Sequence, residues 1–544
     1  MVIVFLMCTS VRAQSTFSQV YTIFQTSCTF SSCHDNVNPK GGLSLVGLGI
    51  NPMSDVHSAL VEAVPENSFA AGKGYVLVNP GDPHSSFLFR KINEGLDGHL
   101  TLHPSEGGPM PVSGVMIDEE KELIRQWILF GAPDSGTVVD YSLIQDYYAN
   151  GGIESMPVIP AAPDSSSGFQ MHFGPFFVPP GQEQEYFVKF DPGFKDTLES
   201  NRIDMLMSGN SHHFILERYR MGEENNIQEG YREDGAHLST EGVTATQFSD
   251  SIFLPQNTAF LLPKDAWLDL NSHYINFSPD SILKAEVYIN VHTQPKGTAK
   301  QIMHTTGSPG GISFPDILSV PNDGSSYTFE SAFFDGSFIP LENDVFIWSM
   351  TSHTHQWGTD FDIYERTSTG SRGAQLFDAS YLDAIPTSTF IGYDYAEPPI
   401  RYFDPFLFTK KEEGFIFEAS YVNNGPNNPV SWGLTSEDEM FIMGIFYVLD
   451  TAGLSVVGIS ETESGPGAVA VYPNPASTAV YFETDKQLHG NLTIYNSMGI
   501  LVDEFSLKGG GPREMDVSTL SSGVYFYRIQ SEDGIESGPF TIAH

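Results

Sequence analysis

Cysteine is almost missing from this chain: of 544 residues only three are Cys, at 8, 28 and 33. Cys8 lies in an N-terminal stretch that reads as a removable leader, so two thiols remain, and no disulfide framework can support the bulk of the protein. Positive charge is scarce as well. With 26 Lys and Arg against 67 Asp and Glu, the formal charge is −41, which repels polyanions and argues against binding of DNA or RNA. An acidic surface of this kind keeps an exported protein soluble, and no further role is assigned to it. Long hydrophobic runs are the third absence. Beyond the leader no apolar stretch reaches the ~18 residues needed to cross a bilayer, so the mature chain is expected to be soluble, with any membrane tether added by other means.

What is present points to several folded, mainly β domains. The length exceeds a single core and predicts three or four domains. Hydrophobic residues make up 40% and charged residues 17%, with 35 Pro and 51 Gly, a balance that suits loop-rich β structure rather than disorder. Residues 1–13 are apolar through Met7 and end Val11-Arg12-Ala13, a small-x-Ala pattern predicting a signal peptide cleaved before Gln14.

The segment 16–135 opens with Phe17, Val20, Tyr21 and Phe24 at helical spacing. Cys28-Thr-Phe-Ser-Ser-Cys33-His34 follows. Two thiols beside a His predict covalent haem, with thioethers from Cys28 and Cys33 and His34 as proximal iron ligand. Four residues separate the cysteines here, where two are usual, and a local disulfide is the competing reading. Downstream come Gly41-Gly42-Leu43, Met110-Pro111 and Trp127-Ile128-Leu129-Phe130-Gly131-Ala132. In that order they resemble a class of cytochrome c domains found in large exported bacterial proteins. The resemblance makes Met110 the distal ligand, with His99 and His103 as competitors.

After a Pro/Gly/Ser-rich stretch, 157–168, the region from 165 to 450 carries short alternating runs such as Glu185-Tyr-Phe-Val-Lys-Phe190, split by Pro, Gly, Asn and Asp. They predict two β-sandwiches, over 165–305 and 306–450. Within them lie Ser211-His212-His213, Asn271-Ser272-His273, His353-Thr354-His355 and Asp438-Glu439-Met440. Imidazole with thioether selects copper, since sulfur favours Cu(I) and nitrogen holds both oxidation states. Adjacent His212 and His213 reach one metal only at a bend or strand end, whereas His353 and His355 share a strand face. Each pair lacks a third ligand, which His273 and Met440 would supply. His292 and His304 are read as structural.

The full order resembles the copper type II, ascorbate-dependent monooxygenases, the family of peptidylglycine-hydroxylating and dopamine β-monooxygenases. The resemblance implies an electron-transfer copper on His212, His213 and His273, and a dioxygen-binding copper on His353, His355 and Met440. It implies two jelly-roll-like sandwiches flanking a solvent-filled cleft, and hydroxylation of a substrate C–H bond with O2. Two departures stand out: Val188 and Phe441 occupy positions where relatives have disulfide cysteines, so packing alone must hold the scaffold. Thr351 stands where the peptide-hydroxylating members have a carboxylate-binding Arg, which argues against a peptide substrate.

The segment 466–544 contains Val471-Tyr472-Pro473-Asn474-Pro475-Ala476 and Leu520-Ser-Ser-Gly523-Val-Tyr-Phe-Tyr527. Its short strands predict a small β-sandwich, and its motifs resemble the C-terminal sorting domain of type IX secretion, which implies export from a Gram-negative bacterium through that machinery. Domain order then suggests a secreted monooxygenase carrying two coppers and haem c, in which the haem replaces ascorbate as electron donor for an organic substrate and O2. The alternative is a surface electron-transfer or copper-binding protein without oxygenase activity.

Overall fold

The computed structural model describes residues 14–454 and 470–542 apart from short stretches, the longest being 380–392 and 484–488. The leader 1–13 and the linker 460–467 lie outside the described residues. The chain forms two compact units, 1–454 and 455–544, and it is mainly β, with several separate sheets and few helices.

The first unit begins with a helical layer. Helix α1 (Thr16–Ser27) starts where the Ser15 hydroxyl accepts from the Ser18 amide at 3.1 Å, satisfying one of the first-turn donors. It buries Phe17, Val20, Ile23 and Phe24. Ile23 thus joins the expected stripe, while Tyr21 stays half out and donates its hydroxyl to the Val46 carbonyl at 2.8 Å. Helices α2 (Pro52–Leu60), α3 (Ser68–Gly72) and α4 (Phe87–Ile92) follow, α2 packing on α1. Helix α5 (Asp118–Leu129) opens on Asp118, Glu119 and Glu120, negative charges that favour a helix N-terminus. It carries Trp127, fully buried and stacked on Phe17 at 5.1 Å. Gly131, at φ +83°, turns the chain out of α5, and α6 (Tyr141–Asn150) closes the layer.

Two mainly antiparallel sandwiches follow, the first with short parallel pairs at Ile153–Glu154 and Gln301–Ile302. In the first, a seven-stranded sheet centred on Leu283–Pro295, with Gly168–Val178 and Leu198–Leu206 on either side, faces a four-stranded sheet. The four strands run Glu183–Phe190, Leu268–Ile275, Ser211–Tyr219, Thr240–Thr246. One core joins the two sheets, drawing Phe173, Ile203, Val287 and Ile289 from one and Phe214, Leu216 and Leu270 from the other. In the second, the sheet His304–Pro309, Ile442–Val448, Val345–His353, Arg401–Thr409 packs on the sheet Ser326–Phe333, Phe415–Val422, Gly358–Arg366, Arg372–Asp378. Val188 and Phe441 both lie in these cores. At ~25 cal/mol per Å² of apolar burial, side chains of this size contribute roughly 1.5–3 kcal/mol each, the support that disulfides would otherwise give.

The sandwiches are packed on one another. Val448 of the second belongs to the core of the first, with Phe346, Trp348 and Phe446 against it. Thr305 Oγ1 donates to the Val243 carbonyl at 2.9 Å across the same junction. The second unit has a three-stranded and a four-stranded sheet around Val480, Leu492, Ile494 and Phe540. Among the described residues no helix is long and apolar enough to cross a membrane.

Candidate metal centre

The strand Ser211–Tyr219 starts irregularly: its register against Leu268–Ile275 shifts between Ser211 and His213. A bulge of this kind lets two successive side chains turn to one side, which answers the geometric demand of the His212-His213 pair. His213 lies opposite His273 on the neighbouring strand. His353 ends its own strand and His355 lies just beyond it, with ring centroids 5.1 Å apart.

All five imidazoles meet. His212, His213 and His273 form one group whose ligand atoms lie within 4.8 Å of one another, and His212, His353 and His355 form another. The His212 ring is 5.0 Å from His273, 6.0 Å from His353 and 5.9 Å from His355. The two donor groups are therefore in ring contact, a departure from the open cleft that the family resemblance implied. The cause is the apolar junction of Val448, Trp348 and Phe446, which draws the sandwiches together.

The outward ring nitrogens are held by acceptors. His213 Nε2 donates to Glu185 Oε1 at 3.1 Å and Asn271 Oδ1 at 2.9 Å, and His273 Nε2 to Glu183 Oε2 at 2.9 Å. His355 Nδ1 donates to the Asp438 carbonyl at 3.2 Å. Such bonds fix tautomer and ring orientation and leave the other nitrogen as a lone pair. The inner atoms of these three rings, His213 Nδ1, His273 Nδ1 and His355 Nε2, are buried with no hydrogen-bond partner, and so is Nε2 of His212, otherwise unbonded among the described residues. Native proteins rarely leave buried polar atoms unpaired, and four convergent lone pairs fit a soft or borderline cation.

Burial favours the neutral form of His212, His353 and His355. It pulls His355 down to about 4, and it holds His212 and His353 well below the ordinary imidazole range, with the neighbouring histidines adding to the effect. Neutral imidazole is the form that binds metal. Around Glu185, burial raises the carboxyl, but the bond to His213 and the nearby imidazoles outweigh it and bring it to about 2.

Met440 is tied to the same place through its neighbour. The fully buried Glu439 carboxyl, which burial pushes up to about 8 against the lowering effect of its amide partners, accepts from the amides of His355 at 2.8 Å, Trp357 at 2.6 Å and Met440 at 3.2 Å. The Met440 carbonyl in turn accepts from Tyr421 OH at 2.6 Å. One carboxyl group thus clamps both segments of the His353/His355/Met440 set. Sequence reading had missed Glu183, Glu185, Asn271 and Glu439. The alternation Glu183-x-Glu185 was the one local signal for the first two. His292 pairs with Asp204 at 2.9 Å and His304 stacks on Tyr447, as expected of structural residues.

In the helical layer Cys28 and Cys33 are both free thiols. Burial, with lesser help from Glu120 and Cys33, pushes the Cys28 thiol up to about 12. His34 Nδ1 donates to the Leu43 carbonyl at 2.9 Å, which leaves Nε2 as the lone-pair nitrogen. Cys28, Leu43 and Met110 all pack against the helical core. Phe30 between the cysteines, Val37 just past His34, and Val112 and Val115 beside Met110 are exposed apolar side chains. The competing distal ligands are engaged elsewhere. His103 Nδ1 accepts from the Ser105 amide and its ring stacks on Phe69 at 4.3 Å, while His99 packs on Tyr288 at 5.1 Å.

Residues 470–541 match the family model of the secretion system C-terminal sorting domain. No curated protein matches the chain. Among solved structures, the major capsid protein P2 of bacteriophage PM2 aligns at 7% identity and TM-score 0.22, over 50% of this chain and 99% of that one. A β-glucuronidase of Ruminococcus gnavus aligns at 10% identity and TM-score 0.17, over 46% and 45% of the two chains. Likenesses this distant bear on neither the fold nor the chemistry of the chain. The C-terminal unit carries a type IX sorting domain, which implies handling by that secretion machinery and delivery outside the cell or to its surface in a Bacteroidetes-type bacterium.

Proposed function

We propose that the protein is a secreted copper-dependent monooxygenase that hydroxylates an organic C–H bond with O2, with electrons delivered by a haem c held in its helical layer. The observation that carries this reading is the set of four buried, unpartnered imidazole nitrogens in the five-histidine cluster. His212, His213 and His273 would hold one copper, and His353, His355 and Met440 the other. Bound copper would supply one-electron redox chemistry and activation of O2. Glu183, Glu185 and the Asp438 carbonyl orient three of the five rings, and Glu439 sets the spacing between the His355 and Met440 segments. Cys28 and Cys33 would attach the haem, and His34 and Met110 would ligate its iron, a His/Met set that raises the reduction potential.

The test is metal and haem content of the exported chain made with cytochrome maturation machinery, followed by O2 uptake with ascorbate as donor across a panel of organic substrates. Two coppers and one haem per chain with substrate-dependent O2 uptake are expected. Metal and haem without any substrate-dependent uptake would turn the assignment to a surface electron-transfer protein, and a chain without copper would refute it. His34→Ala should abolish turnover driven by a protein donor and spare turnover driven by ascorbate; equal loss of both would refute the role of the haem.

A further inference from the structure

We propose that His212 is a ligand shared between two copper ions, so that the five imidazoles form one electronically coupled dinuclear centre. The inference rests on the copper reading above and goes beyond it, since that reading requires only two separate ions.

Three observations carry it. His212 is the one residue common to both groups of three histidines, each with ligand atoms within 4.8 Å of one another. Its ring lies within reach of both sets, 5.3 Å from His213 and 5.0 Å from His273, and 6.0 Å from His353 and 5.9 Å from His355. Direct contact between the sets continues beside it, with His213 6.1 Å from His353.

The third observation is how the rings are held. His213, His273 and His355 each have one nitrogen bound to a carboxylate, amide or carbonyl oxygen, which dedicates the other nitrogen to a single direction. Among the described residues nothing hydrogen-bonds the His212 ring, and its Nε2 is buried without a partner. A ring locked by an outer acceptor serves one metal. One with no outer acceptor is free to turn toward either ion, or to bridge both as an imidazolate once its N–H proton is released to solvent on metal binding, since a neutral imidazole has only one lone pair. The bulge between Ser211 and His213 sets this ring at the junction.

The full chain is loaded with two Cu(II), and bound copper by elemental analysis is compared with unpaired spins by double-integrated electron paramagnetic resonance. Coupling predicts fewer than one spin per copper and a half-field transition. His212→Ala is expected to restore one full spin per bound copper, with His212→Gln as a second variant and far-ultraviolet circular dichroism to show that both fold. Two bound coppers that give two full, non-interacting spins in the unsubstituted chain would overturn this proposal and leave the function reading standing. A chain that retains no copper overturns both.

Discussion

Copper should stabilise the first unit strongly, and the size of the effect follows from the unpaired nitrogens. Each buried unsatisfied polar atom costs ~1–3 kcal/mol, so His212 Nε2, His213 Nδ1, His273 Nδ1 and His355 Nε2 together leave roughly 4–12 kcal/mol uncompensated in the metal-free chain. An ion that binds only the folded state contributes ~4 kcal/mol at a free concentration a thousandfold above its Kd. At roughly 2–4 °C per kcal/mol for domains of 150–250 residues, the melting temperature of the sandwiches rises by about 8–16 °C. Differential scanning calorimetry of chelator-treated and copper-loaded protein measures it. A double variant, His213→Ala with His273→Ala, should lose at least half of the rise. An unchanged melting temperature on loading, or a full rise in the double variant, would show that the orphaned nitrogens are not metal ligands.

Replacing Glu183 by Gln removes the carboxylate behind His273 and is expected to weaken copper binding by roughly 10–100-fold, read by competition with a chelator. Glu439→Ala leaves the amides of His355, Trp357 and Met440 without their acceptor; a loss of about 3 kcal/mol in urea unfolding is expected, from ~1 kcal/mol or more per buried donor. Met110→His should lower the haem reduction potential, because a thioether opposite His raises it, whereas His103→Ala should leave it unmoved in spectroelectrochemical titration. The contact between the helical layer and the first sandwich should weaken in acid. At Glu286 burial raises the carboxyl, but His172, Lys284 and Arg125 bring it to about 2, and the same kinds of partner hold Asp97 low. A carboxylate depressed on folding stabilises above its ordinary value of ~4.5 and loses that contribution as pH falls toward 2, so the melting temperature should drop across that window, and less so in Glu286→Gln.

Local periodicity made much of this fold legible. The stripe of Phe17, Val20 and Phe24 gave helix α1, and the alternation of Glu185 to Phe190 gave a strand, because both patterns are written within a few residues. The grouping of histidines was legible for a different reason: chemistry-bearing residues at His212-His213 and His353-x-His355 stand out whatever the fold. What sequence did not reveal depends on pairing between distant segments. Glu185 faces His273 only through the register of the strands Glu183–Phe190 and Leu268–Ile275. Glu439 becomes a clamp only once residues more than eighty positions away close over it. The contact between the two donor groups was illegible because it follows from Trp348, Phe446 and Val448 packing onto a second core, and an apolar strand does not announce which core it will join.

The strand Glu183–Phe190 also relates the helical layer to the histidines. Its alternate residues face opposite ways. Glu183 and Glu185 reach His273 and His213, while Tyr186 turns to the other face and meets Phe130, just past the end of α5, at 5.2 Å. Tyr231 completes the contact, 5.4 Å from Tyr186 and 5.2 Å from Phe130, and its amide donates to the Leu129 carbonyl at 2.8 Å. Gln126 adds a hydrogen bond from α5 to the Pro175 carbonyl at 2.8 Å. The helical layer is therefore welded to the back of the very strand that orients two of the five imidazoles. In the wired reading, an electron leaving that layer has one strand to cross, through Phe130 and Tyr186 to the neighbouring Glu185, which bonds His213. Truncating Tyr186 to Leu keeps the apolar packing and removes the aromatic step, so haem reoxidation by bound Cu(II), followed by stopped-flow absorbance, should slow while copper and haem content stay unchanged. A rate equal to that of the unsubstituted chain would place the electron route elsewhere.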